Sequence, residues 1–170
     1  MLSVENDGVY VILRYQPGLW FLAFSGTVTQ VATTGFWQAE SHGMAYGTVT
    51  SSVPSGATNT ILRLDLLTGS ISDFFTQQGG QSQVTGFDRQ GHAVIRVNYP
   101  GGSGLYIVTA ANTSTYIAAS TYGYGAFPQG SPVADSHGLW FTVNNGIAIY
   151  TNNAWYLMSN LGAQVAGACT

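Results

Sequence analysis

Charge is what this 170-residue chain has least of: only 6% of its residues are charged, where about 25% is usual. It holds four arginines, no lysine and seven carboxylates, for a net charge of −3. With so few cations there is no basic stripe to neutralise phosphates, which argues against nucleic acid and anionic membranes as partners. A single cysteine, Cys169, excludes any internal disulfide. The longest uninterrupted apolar run, Leu19 to Phe24, is far too short to cross a bilayer, so no membrane insertion is expected of this segment. The first residues, Met1-Leu2-Ser3-Val4-Glu5, carry neither a basic segment nor the apolar core of a signal peptide. Helical periodicity is missing as well; even Leu105 to Tyr122, free of glycine and proline, is rich in Thr, Ser, Ile and Tyr.

What is present points to a packed β-protein. Apolar residues make up 45% of the chain and aromatics 13%, the opposite of the disordered composition. A chain this long buries ~70% of its unfolded surface in one core. Surface polarity has to come from Ser, Thr, Asn and Gln, a composition common in exported β-proteins. An extracytoplasmic home is therefore expected, with any secretion signal lying upstream.

An internal repeat organises the chain. Four segments read acid-x-x-Gly followed by an apolar strand: Glu5 to Gly8, Glu40 to Gly43, Asp88 to Gly91 and Asp135 to Gly138. Four of only seven carboxylates thus share one repeat position, which chance explains poorly. Each copy continues with a loop and a second apolar run (Gly18-Leu19-Trp20-Phe21, Ile61 to Leu64, Gly104 to Ile107, Gly146 to Ile149), then a turn and a further strand. A short strand precedes each acid, so each copy is a four-stranded meander. Runs such as Leu139-Trp140-Phe141 are apolar on successive residues, the mark of strands covered on both faces. Stacked propeller blades supply such cover.

The expected fold is therefore all-β, a β-propeller of about four four-stranded antiparallel blades in a single domain. The blades run over about 1–34, 35–83, 84–130 and 131–164, with 165–170 as the first strand of a further or closing blade. The segment Asp135-Ser136-His137-Gly138-Leu139-Trp140-Phe141, with Leu64 to Ile71 around a Thr-Gly turn, resembles the blades of bacterial propellers. The similar groups are the two-component-regulator sensors, the virginiamycin B lyase-like proteins and NHL-like repeats. Most such propellers have six to eight blades. The resemblance therefore implies the C-terminal part of a larger propeller, and leaves open a compact four-bladed ring or two chains pairing to complete one. It implies an architecture, since such folds host lyases, lactonases, sensors and scaffolds alike.

The candidate sites follow from the repeat. Four acids near a channel are one way to hold a divalent cation. A residue present in every copy, however, serves what every copy needs, and here that is the turn. Glu5, Glu40, Asp88 and Asp135 are expected to cap backbone N–H groups, with Gly8, Gly43, Gly91 and Gly138 taking φ > 0. His42 and His137 share a turn position and His92 follows its glycine, without metal-ligand spacing, so neither a metal nor a cofactor is expected. No nucleophile elbow, phosphate loop or zinc motif occurs, and no catalytic residue is assigned. Loops joining the middle strands or successive blades carry aromatics suited to stacking on a sugar or a protein, Tyr15, Trp37, Tyr99, Tyr122 and Tyr124, although packing in the core or between blades is the commoner fate of any single one of them. The leading expectation is a non-enzymatic module that binds a protein or carbohydrate through that loop face. The alternative is a lyase or hydrolase of the virginiamycin B lyase or lactonase type, using a divalent cation.

Overall fold

The computed structural model describes residues 3–5, 7–12, 17–53, 56–99, 102–118, 129–143 and 146–159. All regular structure among them is β, in four antiparallel sheets of four strands each. The first sheet holds β1 (Ser3–Val4), β2 (Gly8–Val11), β3 (Leu19–Ala23) and β4 (Val28–Ala32). The second holds β5 (Phe36–Ser41), β6 (Met44–Val53), β7 (Gly56–Asp65) and β8 (Ile71–Gln78). The third holds β9 (Gln81–Phe87), β10 (Ala93–Tyr99), β11 (Gly102–Ala110) and β12 (Thr113–Ala118). The fourth holds β13 (Gln129–Ala134), β14 (Leu139–Val143), β15 (Gly146–Thr151) and β16 (Ala154–Ser159). Within each sheet the strands follow one another in chain order. Each sheet is thus a meander of the kind that forms one propeller blade, and the four fit a partial β-propeller. Residues 165–170 and Cys169 lie outside the described residues.

The chain divides into two compact units, 1–84 and 85–170. In the first, Tyr10, Leu19 and Ala32 pack with Trp37, Ala45, Leu62 and Leu64, so the first sheet lies on the second. In the second unit Val94, Leu105 and Ile117 pack with Leu139 and Phe141, joining the third sheet to the fourth. Each large side chain buried this way stabilises by about 1.5–3 kcal/mol relative to exposure.

Burial of successive residues has two local causes. In β10, Ala93, Val94 and Ile95 are all fully buried, as in a strand covered on both faces. In β8, Phe74 and Phe75 are both buried because pairing with β7 skips one residue between Ile61 and Leu62. Such a bulge turns neighbouring side chains away from strict alternation. A matching shift lies between Leu19 and Trp20 in the first sheet.

Candidate functional site

The four acid–glycine corners all join the first strand of a sheet to the second, but they close differently. At Asp135 the carboxylate accepts the N–H groups of His137 (2.7 Å) and Gly138 (3.1 Å), and the Asp135 N–H donates to Gly138 O. Asp88 accepts from the N–H groups of Gln90 (2.9 Å) and His92 (2.8 Å). His92 Nδ1 lies 2.7 Å from Asp88 Oδ2, so that nitrogen carries the proton, a carboxylate being acceptor only. Glu40 Oε1 accepts the Gly43 N–H at 3.0 Å. At Glu5 the backbone N–H donates to Gly8 O at 2.8 Å.

The glycines correct one expectation. Gly43, Gly91 and Gly138 have positive φ, and His42 (φ 53°) with Gly43 (φ 73°) forms the two-residue left-handed turn of a tight hairpin. Gly8 is not in that region. It is glycine because a Cβ there would lie 2.5 Å from Leu22 O and from the Phe21 ring. The first corner needs room, not left-handed backbone.

These contacts set the electrostatics. The Asp135 carboxyl is held down at about 2, first by the Trp140 indole and then by the His137 and Gly138 N–H groups, with burial opposing. Trp140 Nε1 makes no short hydrogen bond, so its influence is that of a nearby N–H dipole. Asp65, in the turn between β7 and β8, accepts the Leu67 and Thr68 N–H groups, and the Thr68 N–H is the first cause of its lowered value.

At the other end of the strands, Trp37 does not offer its ring to a ligand. It is 2% exposed, belongs to the core shared by the first two sheets, and its Nε1 donates to Thr34 O at 3.0 Å. The reason is local: Gly47 across the strand pair leaves the space the indole fills, its would-be Cβ lying 2.9 Å from ring atoms. Tyr99 is half-buried, with its hydroxyl 2.8 Å from that of Tyr106; burial first, then Tyr106, pushes its ionisation up. Tyr106 in turn packs on Tyr116 at 5.0 Å. Tyr15, Tyr122 and Tyr124 lie outside the described residues.

Each unit has an open cleft at the corner end. In the 1–84 unit it measures ≈ 610 Å³ and draws on Glu5, Asp7, His42, Asp65, Leu66 and Leu67. In the 85–170 unit it measures ≈ 440 Å³; two corners give it Asp88, Arg89, Gln90 and His137, and the β15–β16 turn gives it Asn152 and Asn153. Both volumes are in the range of small-molecule sites. The repeat points to the acids, and Arg89, Gln90, Asn152 and Asn153 lie outside its signal. Their own signal is weak but present: adjacent asparagines between two strands mark a left-handed hairpin turn, and both have positive φ here.

Among the described residues no group of three or more His, Cys, Asp and Glu side chains is placed to hold a metal ion.

No protein-family profile matches the chain, and no curated protein is similar to it. It is similar to the X-ray structure of a protein provisionally described as a gluconolactonase, with 14% identity and a TM-score of 0.45. The match covers 86% of this chain and 57% of that one. At that level the likeness says nothing about activity.

Proposed function

We propose that the chain is a recognition or scaffold β-propeller, working outside the cytoplasm, that binds a protein or carbohydrate through the loop end of its sheets. The observation that carries this reading is how the corner groups are used. Asp88 and Asp135 each accept two backbone N–H groups, and Glu40 accepts one. Groups bound into their own turns are poorly placed to move protons on a substrate. The blades resemble those of the bacterial sensor, lyase-like and NHL-like propellers, and self-association would complete a ring of them.

One feature favours the second reading, a lactonase- or lyase-type enzyme. Asp88 orients His92 through Nδ1 in the manner of a general base with its carboxylate partner. Calorimetry with Mg²⁺, Ca²⁺ and Zn²⁺, run beside a gluconolactone hydrolysis assay, separates the two. The recognition reading expects neither stoichiometric metal binding nor turnover. Micromolar binding of one metal, with hydrolysis lost in His92→Ala, would replace it with the enzyme.

A further inference from the structure

The two clefts occupy the same place in the repeat, so their differences are informative. In both, two acid–glycine corners and the turn between the last two strands of a sheet form the walls. What the copies share serves the turns. What they do not share is free of that duty. Where the 1–84 unit places Leu66 and Leu67, the latter 94% exposed, the 85–170 unit places Asn152 and Asn153. Where the first has Asp7, the second adds the exposed Arg89 and Gln90.

We infer that the cleft walled by the β9–β10 corner, the β13–β14 corner and the β15–β16 turn binds a neutral oligosaccharide. Its lining includes Leu139 and the half-buried Ile107 and Tyr150, which pack on the core between the third and fourth sheets, and a tyrosine ring suits the C–H face of a sugar. Its rim offers amide and guanidinium groups. A hydroxyl both donates and accepts, and asparagine and glutamine side chains answer both needs. The rim is also pre-set. Asn152 and Asn153 have φ of 50° and 57°, and Tyr150 donates its hydroxyl to Asn153 Oδ1 at 3.2 Å, leaving the amide nitrogen as donor. Groups fixed before binding lose less freedom on binding.

Charge selects against the alternatives. Asp88 and Asp135 line the cleft with Arg89, so a sulfated or phosphorylated ligand meets two carboxylates for one cation, while a cationic ligand meets the guanidinium and two carboxylates already accepting backbone N–H groups. A neutral polyol meets neither penalty. This site lies at the opposite end of the strands from the loop face, so it stands independently of the reading above.

The test titrates the full chain with cellohexaose, mannohexaose, chitohexaose and a sulfated glucose hexamer, followed by calorimetry and by Tyr and Trp fluorescence. The expected result is saturable binding of at least one neutral hexamer. Arg89→Ala and Asn152→Ala, both at exposed positions, each weaken it by about tenfold, the loss of one or two hydrogen bonds. Leu67→Asn, in the other cleft, leaves it unchanged. Unfolding midpoints check that the variants stay folded. No saturation by any neutral hexamer up to about 10 mM, weaker than any useful lectin site, would overturn the inference, as would binding of the sulfated hexamer alone. Binding that ignores both variants also overturns this cleft and leaves the loop-end reading standing.

Discussion

Trp37 separates two roles that a tryptophan near a loop can have, and its replacement by alanine distinguishes them by size of effect. Removing a buried tryptophan side chain costs about 3–5 kcal/mol when the cavity cannot collapse. Here collapse is hindered, because the facing residue is Gly47, whose would-be Cβ already lies 2.9 Å from the ring. Glycine has no side chain to move into the gap. The Thr34 carbonyl also loses the indole N–H it accepts at 3.0 Å, worth about 1 kcal/mol. We therefore expect Trp37→Ala to fall in the upper half of that range. Trp37→Phe, which keeps much of the ring and loses the hydrogen bond, should cost about 1–2 kcal/mol. Urea unfolding followed by far-ultraviolet circular dichroism reads both. Since domains of this kind are stable by about 5–15 kcal/mol in total, the alanine variant should be folded but strongly weakened, or lost. An alanine variant within about 1 kcal/mol of the parent would refute the core assignment, since burial of that indole cannot be so inexpensive.

The remaining predictions concern the corners. Gly8→Ala should destabilise by about 1–3 kcal/mol through overpacking against Leu22 and Phe21. Gly43→Asn should be nearly neutral, because its Cβ direction is open and asparagine tolerates φ near 73°. Thermal unfolding of the two variants side by side checks the contrast, and a harmful Gly43→Asn with a harmless Gly8→Ala would reverse our account of the glycines. Asp88→Ala should cost about 0.5–2 kcal/mol, as a lost cap does, and should speed amide exchange at Gln90 and His92 specifically; unchanged exchange there would show that the carboxylate does not close the turn.

Much of the fold was legible because the repeat is written in residue types that the backbone requires. An acid followed three residues later by glycine marks a hairpin corner, and the apolar runs between corners mark strands, so the meander could be read copy by copy. The sites were less legible. Trp37 reads as a loop aromatic until its partner across the strand is known to be Gly47, ten residues away. Gly8 sits in register with the other corner glycines yet is required for a steric reason, a close approach of β3 that only the folded pairing creates. Arg89 and Asn152 come together across two sheets, and nothing in their local sequence announces that meeting. The bulge that buries both Phe74 and Phe75 is likewise a property of pairing, so alternation alone misassigns one of them to the surface.

That the repeated acids close their own turns is tested most directly at Asp135. Because its carboxyl is depressed in the folded chain, the stability it contributes is complete above the unfolded-state value near 3.8 and is lost as pH falls through about 2. The measurement is an NMR titration of the Asp135 side-chain carboxyl together with the amide protons of His137 and Gly138, from pH 6 downwards, with and without Ca²⁺ or Zn²⁺. We predict one shared midpoint near 2 for all three signals, unmoved by either metal. A midpoint at the ordinary value near 3.8, or amide shifts that follow metal instead of the carboxyl, would contradict it.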